Sequence, residues 1–81
     1  MAINKYIIIN GSPVLFTPDL IHADMAGANK NVESAGFFLI TKDTETDRLK
    51  VICLGESTSL DICSRPEVDQ QLISNYLGLN K

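Results

Sequence analysis

Three short apolar runs constrain this chain more than anything else in it: Ile7-Ile8-Ile9, Phe37-Phe38-Leu39-Ile40, and Val51 to Leu54. Each is strand-length, and each is apolar at consecutive positions rather than at alternate ones. Side chains along a strand point to opposite faces, so runs of this kind belong to a sheet that is covered on both sides. The rest of the chain must supply the cover. One helix can lie on each face, or the first hairpin can fold over. Alternatively, both helices pack on one side and the other face is buried against a second copy, with edge-strand pairing between copies as a variant. Homo-oligomerisation is therefore an expectation of the sequence.

The elements around these runs read as follows. Lys5 to Asn10 is a strand rich in β-branched residues, closed by the Asn10-Gly11 turn signal, and Val14-Leu15-Phe16 is a short second strand after Pro13. Thr17-Pro18-Asp19 is predicted to open a helix, with Thr17 as cap, Pro18 where no N–H is needed and Asp19 at the positive end. Leu20, Ile21, Ala23 and Met25 follow, and Gly27 stops it. Ala28 to Asn31 is a polar loop, Val32 to Thr41 a strand, Lys42 to Asp47 a charged turn, and Leu49 to Leu54 another strand. After the Gly55-Glu56-Ser57 turn, Thr58 to Cys63 alternates and predicts a half-exposed edge strand. Ser64-Arg65-Pro66-Glu67 matches a capping box, and Val68, Leu72, Ile73, Tyr76 and Leu77 then recur at helical spacing until Gly78. The expected order is β-β-α-β-β-β-α, a single α+β domain over residues 1–81 with a mainly antiparallel sheet whose last three strands form a meander.

Composition narrows the function classes. With 81 residues, 44% hydrophobic and 21% charged, the chain is an ordinary if small globular domain. The net charge of −3 and only seven Lys and Arg argue against a phosphate-backbone binder. Six of these, Lys30, Lys42, Arg48, Lys50, Arg65 and Lys81, are scattered over the chain after Lys5, and no direct nucleic-acid contact is expected. The apolar run Tyr6 to Ile9 is too short for a signal segment or a membrane span. Cys53 and Cys63 read as reduced cytoplasmic thiols, with a disulfide between neighbouring strands as the alternative.

Candidate chemistry is sparse. His22 is the one histidine, and its spacing from Asp24 puts the two on different helix faces. Partners for a nucleophilic mechanism would be Ser12, Ser34, Ser57, Ser59 or a cysteine, none in a G-x-S-x-G setting, so a small hydrolase using His22 with a Ser or Cys is the second reading. His22, Asp24, Cys53 and Cys63 lack metal-ligand spacing, and no phosphate loop is present. Neither a catalytic residue, a metal nor a cofactor is expected. The best anion site in the sequence is the hydroxyl-rich Gly55–Ser59 turn with Arg65 at a helix N-terminus. Ser57, Ser59, Arg65 and His22 are therefore the candidate ligand contacts, though Ser64 and Glu67 can satisfy the same helix N–H groups and leave Arg65 solvated.

The segments PVLFTPDLIHADMA (13–26), VESAGFF (32–38) and CLGESTSLDICSRPEVD (53–69) together resemble small accessory proteins of phages and prophages. The resemblance spans most of the chain and carries no activity onto particular residues. It implies a host-interaction role in the host cytoplasm, exerted stoichiometrically by blocking a host protein or sequestering a small signalling molecule. The sequence thus predicts a non-enzymatic, self-associating binder of a host protein or a small anionic, nucleotide-like ligand. A structural assembly component is a further alternative.

Overall fold

The computed structural model describes residues 2–28 and 31–79; Lys30, Lys81 and the centre of the predicted 28–31 loop lie outside them. In chain order the elements are β1 (Ile3–Ile9), β2 (Ser12–Phe16), α1 (His22–Ala26), β3 (Val32–Lys42), β4 (Leu49–Leu54), β5 (Glu56–Ser57), β6 (Ile62–Cys63) and α2 (Pro66–Leu77). The fold is α+β. β2, β1, β3 and β4 form one antiparallel sheet in that order, and β5 and β6 form a separate two-stranded ribbon.

The β1–β2 hairpin forms as its turn residues dictate. Ile9 pairs with Ser12, leaving Asn10 and Gly11 as a two-residue loop with φ of 51° and 78°. Positive φ at both positions is what a type I′ turn requires, and its twist suits the flanking strands. β3 is the long element. Its 11 residues span roughly 37 Å at strand rise, which accounts for most of the 41 Å long axis of the molecule. Beyond Leu39, which pairs with Ile3, β3 continues with β4 alone as a two-stranded arm. Asp43 Oδ1 closes the arm's tip by accepting the N–H groups of Glu45 and Thr46.

Register assigns the faces. Tyr6, Ile8, Phe38, Val51 and Cys53 pack with Ile73 of α2, while Ile7, Phe16 and Ala35 pack with Ala26 of α1 and, more loosely, Leu60 and Ile62 of the ribbon. The two helices therefore lie on opposite faces of the sheet, which corrects the arrangement with both on one side. The ribbon helps because α1 has only five residues. Even so, the α1 face is covered over only part of its length. Ile3, Leu39 and Ile52 form one register row and Phe37 and Leu54 stand in the next; Ile3 is 47% exposed and Leu54 41%.

Four local expectations are corrected. Thr17 does not cap α1. Its hydroxyl bonds the Asp19 carboxylate, and a separate turn closes from the Leu20 N–H to the Thr17 carbonyl. The Leu20 carbonyl accepts from Lys5 Nζ at 2.8 Å, and the helical ladder begins at the Ile21 carbonyl. Thr58 to Cys63 is not an edge strand, and the expected three-strand meander reduces to β3–β4. Asp61, at φ 55°, and the Ser57 side chain, which accepts the Leu60 N–H, turn the chain back within β5–β6. Ser64 is not the N-cap of α2: Arg65 is, without a side-chain cap of its own, and the Arg65 N–H is held by Asp69 from one turn further on. The apolar stripe of α2 is buried only in part. Val68 and Tyr76 are 49% and 64% exposed, whereas Asp69 and Ile73 are fully buried. Ile73 and Leu72 of the expected stripe do pack in the core, and Asp69 joins Ile73 on the buried side.

Candidate functional site: a cleft beside Phe37

The side of the sheet that carries α1 and the ribbon holds a cleft of about 420 Å³ lined by Lys5, Ile21, His22, Phe37, Glu56, Thr58 and Ser59. Its volume is in the range of small-ligand sites. Its parts come from four segments. Lys5 and Phe37 are register partners on β1 and β3, so their side chains share a face and sit side by side, with the Lys5 ammonium 5.9 Å from the Phe37 ring centre. β4 flanks Phe37 on the other side through the Phe37–Leu54 pair, and the chain leaves Leu54 through Gly55 directly into Glu56. Ile21 and His22 come from the start of α1, Thr58 and Ser59 from the ribbon turn.

His22 is buried at 4% exposure. Its ring stands edge-on to Phe16 and Phe37 at 5.4 and 5.6 Å, and Nε2 lies 2.8 Å from the Gly36 carbonyl. A carbonyl only accepts, so Nε2 carries the proton and donates. Gly36 is a close-approach position: a Cβ there would meet the Leu54 carbonyl oxygen at 2.7 Å and Ser64 Cβ at 3.1 Å. His22 thus ties α1 to the tightest point of the sheet. Among the described residues no serine, cysteine or carboxylate hydrogen-bonds it, and Asp24 is exposed.

The candidate hydroxyls divide. Ser59 lines the cleft and its Oγ accepts the Ala23 N–H at 3.2 Å, pinning the ribbon to α1. Ser57 is 1% exposed and supports the turn from beneath, with its Oγ 3.2 Å from that of Ser59. Arg65 is elsewhere. It borders a separate open hollow of about 370 Å³ with Pro66, Glu67 and Val68, and its guanidinium is engaged by Asp69 at 3.1 Å and Glu33 at 3.8 Å. The structure therefore unites His22 and Ser59 with Ser57 behind them and leaves Arg65 outside. Glu56 and Thr58 come from the Gly55–Ser59 turn singled out in the sequence, whereas Lys5, Ile21 and Phe37 carry no local mark and join it through strand register and the ribbon's fold.

Arg65 belongs to a different construction. The Asp69 carboxylate has no exposed surface and is surrounded by donors: Tyr6 Oη at 2.5 Å and the Arg65 N–H at 2.8 Å on Oδ2, Ser34 Oγ at 2.7 Å with Arg65 Nη2 at 3.1 Å and Nε at 3.3 Å on Oδ1. Burial, and then the bond to this carboxylate, push the Tyr6 hydroxyl far above its ordinary pKa. Burial likewise raises the neighbouring Cys53 thiol to about 11. The Cys53 N–H, on the outer edge of β4, is taken by Gln70 Oε1 at 3.0 Å, so α2 shields that edge. Both cysteines are free, Cys53 buried and Cys63 exposed. The network is an anchor that fixes α2 to β1 and β3. Ser34 is committed to Asp69 there and is not placed with His22.

Among the described residues no cluster of three or more His, Cys, Asp or Glu is arranged to hold a metal, and no helix is long and apolar enough to cross a membrane. No protein-family model, curated protein or solved structure matches the chain.

Proposed function

We propose that this domain is a non-catalytic binder that holds a small anionic ligand of nucleotide size in the Phe37 cleft. One observation carries the reading: an ammonium, hydroxyls and an aromatic ring converge on one cleft of suitable volume. Lys5 Nζ donates one hydrogen bond to the Leu20 carbonyl and keeps two N–H donors for an anion. Phe37 offers a ring surface against which a flat group packs. His22 supports binding over catalysis. Among the described residues its ring is hydrogen-bonded to the Gly36 carbonyl and to no serine, cysteine or carboxylate, so no nucleophile is paired with it. A small hydrolase using His22 with Ser57, Ser59 or a cysteine therefore has less behind it. The resemblance to phage accessory proteins fits a domain that acts by occupancy, sequestering its ligand in the host cytoplasm.

The test is a thermal-shift screen with linear and cyclic nucleotides, followed by Lys5→Met. A ligand at 100 times its Kd adds about 2.7 kcal/mol, which raises the Tm of a domain this size by roughly 10–20 °C. Lys5→Met is expected to abolish the shift while leaving the unliganded Tm within a few degrees. No shift with any anion, or shifts unaffected by Lys5→Met, would refute the assignment.

A second reading concerns partners. The partly exposed row Ile3–Leu39–Ile52 with Leu54 beside it favours self-association through the open part of the α1 face, since contiguous apolar surface on a sheet is stabilised by burial. Sedimentation is expected to show a dimer at micromolar concentration that Ile52→Glu dissociates. A monomer throughout removes this reading and leaves the cleft untouched. The open face would then stand as the candidate surface for a host protein or an assembly partner.

A further inference from the structure

The cleft carries charge of both signs, and their placement narrows the ligand class within the binding function proposed above, on which this inference rests. Glu56 lines the cleft together with Lys5. They enter it from different elements: Lys5 is on β1, paired with Phe37, whereas Glu56 opens the ribbon strand β5, two residues after Phe37's β4 partner Leu54. Among the described residues neither Lys5 nor Glu56 takes part in a salt bridge. The one side-chain contact of the Glu56 carboxylate is a long approach of the Cys63 thiol at 3.8 Å.

A ligand that is only an anion gains from Lys5 and is repelled by Glu56. A flat ligand with an anionic group at one end and paired N–H donors at the other gains from both. We propose that the cleft selects a nucleotide whose base presents two adjacent N–H donors, a guanine nucleotide, over an adenine nucleotide. The base lies against Phe37 with its N1–H and N2–H groups donating to the Glu56 carboxylate, and the phosphate meets Lys5 and the Thr58 hydroxyl. Guanine donates twice to a carboxylate. Adenine offers one amino donor beside the N1 lone pair, which faces the carboxylate unfavourably. A good bidentate contact of this kind discriminates by about tenfold or more.

The experiment is calorimetric titration of the full chain with GMP, AMP and inorganic phosphate, repeated with Glu56→Gln. Glu56 is exposed, so the replacement spares the core, and an unchanged circular dichroism melt verifies that the variant is folded. The wild type is expected to bind GMP at least about tenfold more tightly than AMP, with phosphate weakest. Glu56→Gln is expected to bring the GMP:AMP ratio within about threefold by weakening GMP, with AMP binding retained. Equal affinity for GMP and AMP in the wild type, or a guanine preference that survives Glu56→Gln, overturns this inference and leaves the anion-binding function standing. Absence of binding by all three ligands overturns both.

Discussion

Replacing Asp69 by Asn tests the physical account of how α2 is held to the sheet. The substitution keeps the shape and removes the charge. Asp69 is fully buried and its two oxygens accept from Tyr6, Ser34, the Arg65 N–H and the Arg65 guanidinium. An asparagine has one oxygen and one NH2 in the same space. Whichever way it is oriented, the NH2 confronts two groups that donate to the carboxylate in the wild type. If it takes the Oδ2 position it opposes the Tyr6 hydroxyl and the Arg65 N–H; at the Oδ1 position it opposes Ser34 and the guanidinium. Breaking a buried charged pair from one side costs about 3–5 kcal/mol. Arg65 is partly exposed, with 36% of its side chain accessible, so water recovers part of its loss and the lower half of that range is expected. Domains of this length have stabilities of roughly 4–12 kcal/mol, so Asp69→Asn removes a large share and some of the chain is expected to be unfolded at 37 °C. Tyr6→Phe deletes a single donor and leaves the carboxylate otherwise satisfied, at a cost of about 1–1.5 kcal/mol. Urea denaturation of the wild type, both single variants and the double variant measures these values and their coupling. Because both residues belong to one network, Tyr6→Phe is expected to cost less in the Asp69→Asn background than in the wild type. An Asp69→Asn variant within about 0.5 kcal/mol of wild type, or strict additivity in the double variant, would show that the network does not anchor α2.

Two further outcomes check separate parts of the structure. Cys63 is exposed and Cys53 is buried with its thiol raised from 9.0 to about 11, so at pH 8 the Cys53 thiolate fraction is about 100-fold below that of an unshifted thiol; Ellman's reagent is expected to label one thiol quickly and the second only at the rate of unfolding, and two equal fast phases would refute the burial. Gly36→Ala places a Cβ 2.7 Å from the Leu54 carbonyl oxygen, a backbone atom that cannot swing away, so a loss of about 1–3 kcal/mol in chemical denaturation is expected, with the His22 ring resonances perturbed because its acceptor is the Gly36 carbonyl.

Local grammar was legible where the residues that decide an element are neighbours in the chain. Asn10-Gly11 marked the hairpin turn, the three apolar runs became the strands β1, β3 and β4, and glycines ended both helices at Gly27 and Gly78. The α+β class followed from these alone. Legibility stopped where a distant group competed for a local hydrogen bond. The Lys5 ammonium holds the Leu20 carbonyl ahead of α1, and Tyr6 and Ser34 hold Asp69 on the buried side of α2 beside Ile73. Burying a carboxylate there is favourable only once five donors surround it, and no periodicity in the sequence encodes their convergence. The cleft has the same origin. His22 and Ser59 were visible as residue types, but Lys5, Phe37 and Glu56 became a site only through the register of β1 on β3 and the turn out of β4. Composition and short-range spacing determined which strands, turns and class this chain adopts. Long-range pairing decided which face each helix buries, which side chains line the Phe37 cleft, and that Arg65 stands outside it.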